Sequence, residues 1–435
     1  MTPVKVNNDR SLGVMSVGLY AGGSFGTGVF STVPTVLLLY FCTEILKIDP
    51  AKAAIIVFVP KAWSIVWDPM VGAFSDGART PFGRRRPFLA AGLVGVAVSF
   101  VLLFSPPVLT ADGLFVWTAA AYFALATLYS LFAVPYTAAP AEIGSTPTAR
   151  AQLVGARMFM AMVGVLAGAA AAPALVEAFG GGRQGYASMS WWIAGACALF
   201  MSLPIFMLGK YDRPAPARGA HESAKARPNL FVALQSSRFR PLLLSFLLQL
   251  SAVGIISSSA PYLVVKALHH PPGDVGLALF AMLGVTTLAT PVWAFVGRKI
   301  GEARAIVIAA LLYCAAAGFL GWSCTSGADW NQALLAFALA GAPFAGLQVA
   351  PYTYAAHLIH EECRNESAAE GAFTGMWTAT EKLGLALGPA LTGAVLSLGG
   401  GAAALPPFIM AAPGVLLLIS LPLLALAARK PTSRP

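Results

Sequence analysis

The chain is built from long apolar runs separated by short polar ones. Twelve such runs are read as helices, at 12–42, 51–75, 87–106, 113–140, 151–177, 187–209, 239–265, 273–297, 303–322, 331–358, 369–398 and 404–428. Most hold 20 to 30 residues. At about 1.5 Å per residue that is enough to cross a hydrocarbon core of about 30 Å with some tilt. Four stretches, 87–111, 113–141, 241–265 and 383–428, contain no Asp, Glu, Lys or Arg. The pattern predicts an all-α membrane protein with twelve transmembrane helices.

The polar interruptions carry the orientation, because Lys and Arg concentrate on the cytoplasmic side. One alternate set of loops and ends holds 22 of the 28 basic residues, and the other holds only Lys47, Lys52, Arg183 and Lys266. The first set, with both termini, is expected to be cytoplasmic. Lys61 and Lys382 fall within spans. The net charge of +10 is therefore a topology signal. It argues for the lipid bilayer as the surrounding partner and against nucleic acid.

The longest interruption, "YDRPAPARGAHESAKARPNL" (211–230), is rich in Pro, Ala and charge and reads as a flexible linker. It divides the chain into an N-terminal six-helix bundle (1–210), a cytoplasmic linker (211–238) and a C-terminal six-helix bundle (239–435). The halves echo each other. "VPYTAAP" (134–140) recurs as "APYTYAA" (350–356), and "GAAAAPAL" (168–175) as "GLALGPAL" (384–391), both at an offset of 216. "DPMVGAFSD" (68–76) matches "TPVWAFVGR" (290–298) more loosely, at 222. A six-plus-six parallel repeat is the build of major facilitator transporters, which bind solute near the midplane between the halves.

Composition agrees. Hydrophobic residues make up 57% of the chain and charged residues 11%, against about 25% charged in soluble domains. The five cysteines show no ligand-like spacing. The start, "MTPVKVNNDRSLG", lacks the features of a cleaved signal, so the first span is expected to direct its own insertion. No Walker loop, nucleophile elbow or HExxH pattern is present, so an enzyme, a cofactor and a metal centre are not expected. His269 and His270 read as solvated loop residues, and His357 and His360 as part of a charged helix end.

Candidate chemistry lies where charge enters the spans. In "VPKAWSIVWDPMVGAFSD", Lys61, Ser64 and Asp68 share one helix face at i, i+3 and i+7. Either Lys61 and Asp68 form an internal ion pair, or Asp68 is a cation or proton site. Ionisable groups inside a membrane are functional by default. In "TATEKLGLALG", Thr378 and Lys382 share a face, while Glu381 points about 100° away. Glu381 and Lys382 with Lys61 read as a charge network. Pro135 and Pro351 bend their helices next to Tyr136, Thr137 and Tyr352, which read equally as core packing or as solute contacts, with Trp377 and Thr378 as further candidate contacts. In "SDGARTPFGRRRPF", Asp76, Arg79, Arg84, Arg85 and Arg86 are both cytoplasmic anchors and a candidate gate.

These motifs carry a resemblance over most of the chain. "WDPMVGAFSDGARTPFGRRRPF" is similar to the signature of the glycoside–pentoside–hexuronide:cation symporters, the melibiose permease family, and its loop is also similar to that of plant sucrose transporters. "EGAFTGMWTATEKLGLALGPALTG" resembles that family's eleventh helix, and "YAGGSFGTGVFSTVPTVLLLYFCTEIL" its first. The resemblance implies the major facilitator fold and uptake of sugars or glycosides driven by sodium, lithium or protons. It implies that Asp68 is the second of two cation-site acids, with Ser64 replacing the first and Ser130 supplying a hydroxyl. It makes Lys382 a cavity-facing lysine and Arg157 a sugar contact. The family's acids on helices one and four are replaced by Gly28 and Ala133.

The resulting expectation is a cation-coupled symporter of a small organic solute, acting as a monomer in the bacterial inner membrane. A lone carboxylate suits a proton better than sodium, which wants several oxygens. Lys61, Arg157 and Lys382 against Asp68 suit an organic anion or amphipathic solute better than a neutral sugar. An exporter or facilitator of a lipid-like or drug-like molecule is the alternative.

Overall fold

The computed structural model describes residues 13–78, 80–143, 146–209, 232–325, 329–362 and 370–428. Among these, all regular structure is helical. The twelve long helices are α1 (Val14–Tyr40), α2 (Pro50–Gly77), α3 (Arg86–Phe104), α4 (Ala111–Ala138), α5 (Pro147–Ala178), α6 (Gly182–Leu208), α7 (Phe239–Tyr262), α8 (Asp274–Ile300), α9 (Glu302–Thr325), α10 (Trp330–Glu362), α11 (Glu370–Val395) and α12 (Leu405–Ala427). Eleven of them are apolar and long enough to cross a membrane. The exception is α11, which carries Glu370, Glu381, Lys382 and a run of threonines. Segment 211–231 of the predicted linker, Cys363 and Arg79 lie outside the described residues, as does the side chain of Asp76.

Local chemistry fixes the helix ends. Asp49 caps α2, accepting from the backbone N–H of Ala51 at 2.9 Å and Lys52 at 3.3 Å, with Pro50 at the first helical position. Thr146 caps α5 in the same way through Ala149 N–H at 3.1 Å. Prolines stand inside nearly every long helix, which a bilayer tolerates when neighbours satisfy the freed backbone groups. The predicted 369–398 helix is shorter than expected. It ends at Val395 and continues as a π-turn (Leu396–Gly400) and a 3-10 turn (Gly401–Ala404) into α12.

Helix pairing repeats. In the first six helices α1 packs on α5 and α6, α3 on α4 and α6, and α2 on α4. In the last six α7 packs on α11 and α12, α9 on α10 and α12, and α8 on α10. These are the same pairs, six helices on. Close crossings rely on glycine. A Cβ on Gly28 would sit 2.4 Å from the Ala161 carbonyl of α5, and one on Gly388 would sit 2.4 Å from Gly254 Cα of α7. With little hydrophobic gain between helices in lipid, such backbone approach is what holds them. α1 and α7 are the most enclosed spans.

The two sets meet through α2 with α11, α5 with α8, and α1 with α7. α1 and α7 finish alike. Each runs into a π-turn, Phe41–Ile45 or Leu263–Ala267, followed by a left-handed residue, Lys47 or His269, both at φ 56°. The turns meet across the interface. Thr43 and Tyr262 hydroxyls are 2.6 Å apart, the Tyr40 and Tyr262 rings pack edge-on at 5.0 Å, and Lys266 pairs with Glu44 at 2.8 Å. Gly273 N–H donates to Glu177 nearby. This end is closed. At the other end, Arg238–Glu361 and His357–Glu302 join helices of one half.

Candidate functional site

Midway along the bundle, Asp68 of α2 lies between the two sets of helices. Its Oδ1 accepts from the Ser130 hydroxyl of α4 at 2.5 Å. Its Oδ2 is paired with the Lys382 ammonium of α11. One carboxylate oxygen is thus held from its own half and the other from the opposite half. A charge at the centre of a membrane helix costs roughly 2.5–3.5 kcal/mol on insertion scales, and an ion pair at an interface lowers that cost.

Lys61 does not pair with Asp68. It donates instead to Thr35 Oγ1 of α1 at 3.0 Å. The reason is geometric: the two residues share a face, but seven residues along a helix is a rise of about 10 Å. Ser64, between them, gives its hydroxyl proton back to the Lys61 carbonyl at 2.7 Å. Trp63 and Trp67 fix this face. Their rings stack at 5.8 Å, and their N–H groups donate to Thr127 of α4, to its hydroxyl at 3.2 Å and its carbonyl at 3.0 Å.

Tyr129 of α4 marks the centre. Its hydroxyl donates to the Thr27 carbonyl at 3.3 Å, and it lies within electrostatic reach of Asp68, Arg157 and Glu381. The Arg157 guanidinium faces the Tyr136 ring at 5.9 Å, and its Nε is buried with no hydrogen-bond partner. Glu381 turns away from Asp68 to the Tyr352 hydroxyl of α10, as the 100° offset from Lys382 requires. Thr378 is exposed and bonds only the Thr374 carbonyl, at 3.1 Å. Thr137 is likewise exposed, bonding the Val134 carbonyl at 2.9 Å.

Two predicted solute contacts are packing residues in this structure. Tyr136 is 0% exposed, and its hydroxyl donates to the Tyr20 carbonyl at 2.6 Å while Tyr20 donates to the Tyr136 carbonyl at 2.5 Å. Trp377 is 4% exposed and stacks on Phe246 at 4.0 Å. Tyr136→Phe is expected to lower thermal stability, since a buried hydrogen bond contributes about 1 kcal/mol. Solute affinity should stay unchanged; a weakened Kd at unchanged stability would make Tyr136 a ligand contact.

The arginine loop packs inward. Arg85 is buried and donates to the Pro135 carbonyl of α4 at 3.1 Å, and Arg86 donates to the Ile205 carbonyl of α6 at 3.2 Å. Both bonds tie the α2–α3 connection to its own half. Thr35, Thr127 and Tyr129 were not anticipated from the sequence. A signal existed for the first: Ser24, Thr27, Ser31 and Thr35 recur at helical spacing on the otherwise uncharged α1.

The family described as MFS/sugar transport protein matches residues 19–425. YagG of Escherichia coli (strain K12), provisionally named a glycoside/cation symporter, is 31% identical over 165 residues, 38% of this chain and 36% of that protein. The sphingosine-1-phosphate transporter MFSD2B of Mus musculus is 26% identical over 323 residues, 69% of this chain and 64% of that protein. Both matches span less than two thirds of the relative. The isoprimeverose transporter of Lactiplantibacillus pentosus is 24% identical over 403 residues, 88% of this chain and 79% of that protein. Among solved structures, a bacterial homologue of the iron transporter ferroportin superposes with TM-score 0.71 at 13% identity, covering 97% of this chain and 100% of that one. A D-xylose-proton symporter gives 0.69 at 17% identity, covering 94% and 96%. At such identities these two likenesses concern the fold.

Proposed function

The chain belongs to the MFS/sugar transport protein family, and from that premise we propose that it is a proton-coupled symporter of a small organic solute. The observation that carries this reading is the Asp68 carboxylate shared between Ser130 of one half and Lys382 of the other. A proton on Asp68 neutralises it, and the attraction to Lys382 is lost. Lys382 is then free, and α2 and α11 can separate. Deprotonation restores the pair. The halves therefore exchange partners only as the proton moves, which is what coupling requires.

Sodium is the weaker candidate. Such an ion takes several oxygens, and here the Asp68 oxygens are joined only by the Ser130 hydroxyl, with Ser64 turned to the backbone. With the termini taken as cytoplasmic, the closed end is the outer one. Bacterial symporter relatives support the bacterial inner membrane as its location, with the monomer as the proposed working unit.

Proteoliposome uptake under separate gradients tests the proton. A pH gradient, acidic on the source side, is expected to raise solute accumulation by about tenfold, the effect of roughly one pH unit on a proton-coupled equilibrium. A sodium gradient at constant pH should add nothing. Accumulation that follows sodium and ignores pH would overturn the assignment.

The match to a sphingosine-1-phosphate transporter favours a second reading, export or facilitated movement of a lipid-like or drug-like molecule. Direction separates the two. Cells producing an importer accumulate the solute, and cells producing an exporter are depleted of it.

A further inference from the structure

Five described side chains bring charge into the middle of the bundle: Lys61, Asp68, Arg157, Glu381 and Lys382. Asp68 is taken by Lys382 and Ser130. Glu381 is engaged by Tyr352. Lys61 has no carboxylate partner among the described residues; its hydrogen bond is to the neutral Thr35 hydroxyl. A half-buried ammonium inside a membrane span calls for a counter-charge. We propose that Lys61, held by Thr35 and flanked by Ser31, binds an anionic group of the transported solute, a carboxylate or phosphate oxygen. This assignment rests on the symport reading for the existence of that solute.

The hydrogen-bond directions select an acceptor on the solute, and the positive charge of Lys61 favours an anionic one. The Thr35 hydroxyl donates its proton to the Ser31 carbonyl at 2.7 Å, so its oxygen receives from Lys61. The Ser31 hydroxyl donates its own proton to the Gly28 carbonyl at 3.1 Å. Lys61 carries three N–H donors and spends one on Thr35. The donors this spot offers a solute are therefore the remaining ammonium N–H groups, which bind a charged oxygen more strongly than a neutral one.

The spot is also reachable. α1 is among the most enclosed helices, covered by α5, α6 and α7, yet Ser31 is exposed and Thr35 partly so. Thr35 meets Lys61 of α2, and α2 packs on α11, so this exposure lies beside the interface between the two sets of helices. Lys61 shares its face of α2 with Asp68, which meets Lys382 across that same space. A solute bound there through its anion would lie close to the Asp68–Lys382 pair whose exchange drives coupling.

Equilibrium binding to the purified full-length protein, without any gradient, tests the assignment. Methyl glucuronide and glucose 6-phosphate supply the carboxylate and phosphate arms, and methyl glucoside is the neutral control. At least one charged probe is expected to bind about tenfold or more tighter than the control. Lys61→Gln should bring it down to the control's level, Lys61→Arg should keep the preference, and Thr35→Val should reduce it. An unchanged melting temperature of ligand-free Lys61→Gln shows that the fold is intact. Equal binding of charged and neutral probes, no binding of any charged probe, or a preference that survives Lys61→Gln would overturn the assignment. Charge-selective binding without gradient-driven uptake would sink the symport reading instead and leave the anion site standing.

Discussion

Asp68→Asn is expected to abolish accumulation of solute against its gradient, a loss of at least about tenfold, while exchange down a gradient persists. The amide keeps the shape and still bonds Ser130, but it cannot bind and release a proton. It also leaves Lys382 without its partner. Removing one member of a buried pair costs about 3–5 kcal/mol, so the single variant should be less stable. A second variant separates coupling from folding. Asp68→Asn with Lys382→Met removes both charges and should recover much of the stability without recovering coupled uptake. Full accumulation by either variant would remove Asp68 from the coupling mechanism.

Gly28→Asp, which restores an acid where the resembled symporters carry one, is expected to prevent stable folding. The added Cβ would stand 2.4 Å from the Ala161 carbonyl and 3.0 Å from the Val165 nitrogen, at the crossing of α1 and α5. Both atoms are backbone, so the helices must part. Overpacking of this kind costs about 1–3 kcal/mol, and an unpartnered carboxylate within the span adds about 2.5–3.5 kcal/mol. Gly28→Ala isolates the steric part and should lower the melting temperature measurably while leaving transport in place. A folded Gly28→Asp protein with new affinity for a neutral glycoside would show instead that the position faces solute. The missing acid is thus a consequence of helix packing: α1 here lies too close to α5 for any side chain at 28.

Much of the architecture was legible because membranes impose a strong pattern. Backbone polar groups in lipid must be satisfied within a helix, so apolar runs of sufficient length declare themselves. The ends were less legible. The stretch after Val395 reads as helix because nothing in Leu396, Ser397 and Leu398 breaks one, whereas the structure has a π-turn there. The more polar α11 is legible from its uncharged stretch after Lys382 together with its motif and its repeat mate.

The candidate site divides in the same way. The face shared by Lys61, Ser64 and Asp68 and the offset of about 100° between Glu381 and Lys382 both follow from 3.6 residues per turn. Periodicity says which residues share a face; it does not say which helix that face meets. Lys382 reaches Asp68 from 314 positions along the chain, and Lys61 finds Thr35 on a helix without any charge. Tyr136 and Trp377 have the chemistry of ligand contacts, but neighbouring rings and carbonyls enclose them. The sequence by itself determined the twelve spans, their repeat and the few charges admitted to the membrane, because those are properties of single helices in lipid. Only the tertiary structure decided the partners, because ion pairing and burial depend on distances of a few ångströms between helices remote in sequence.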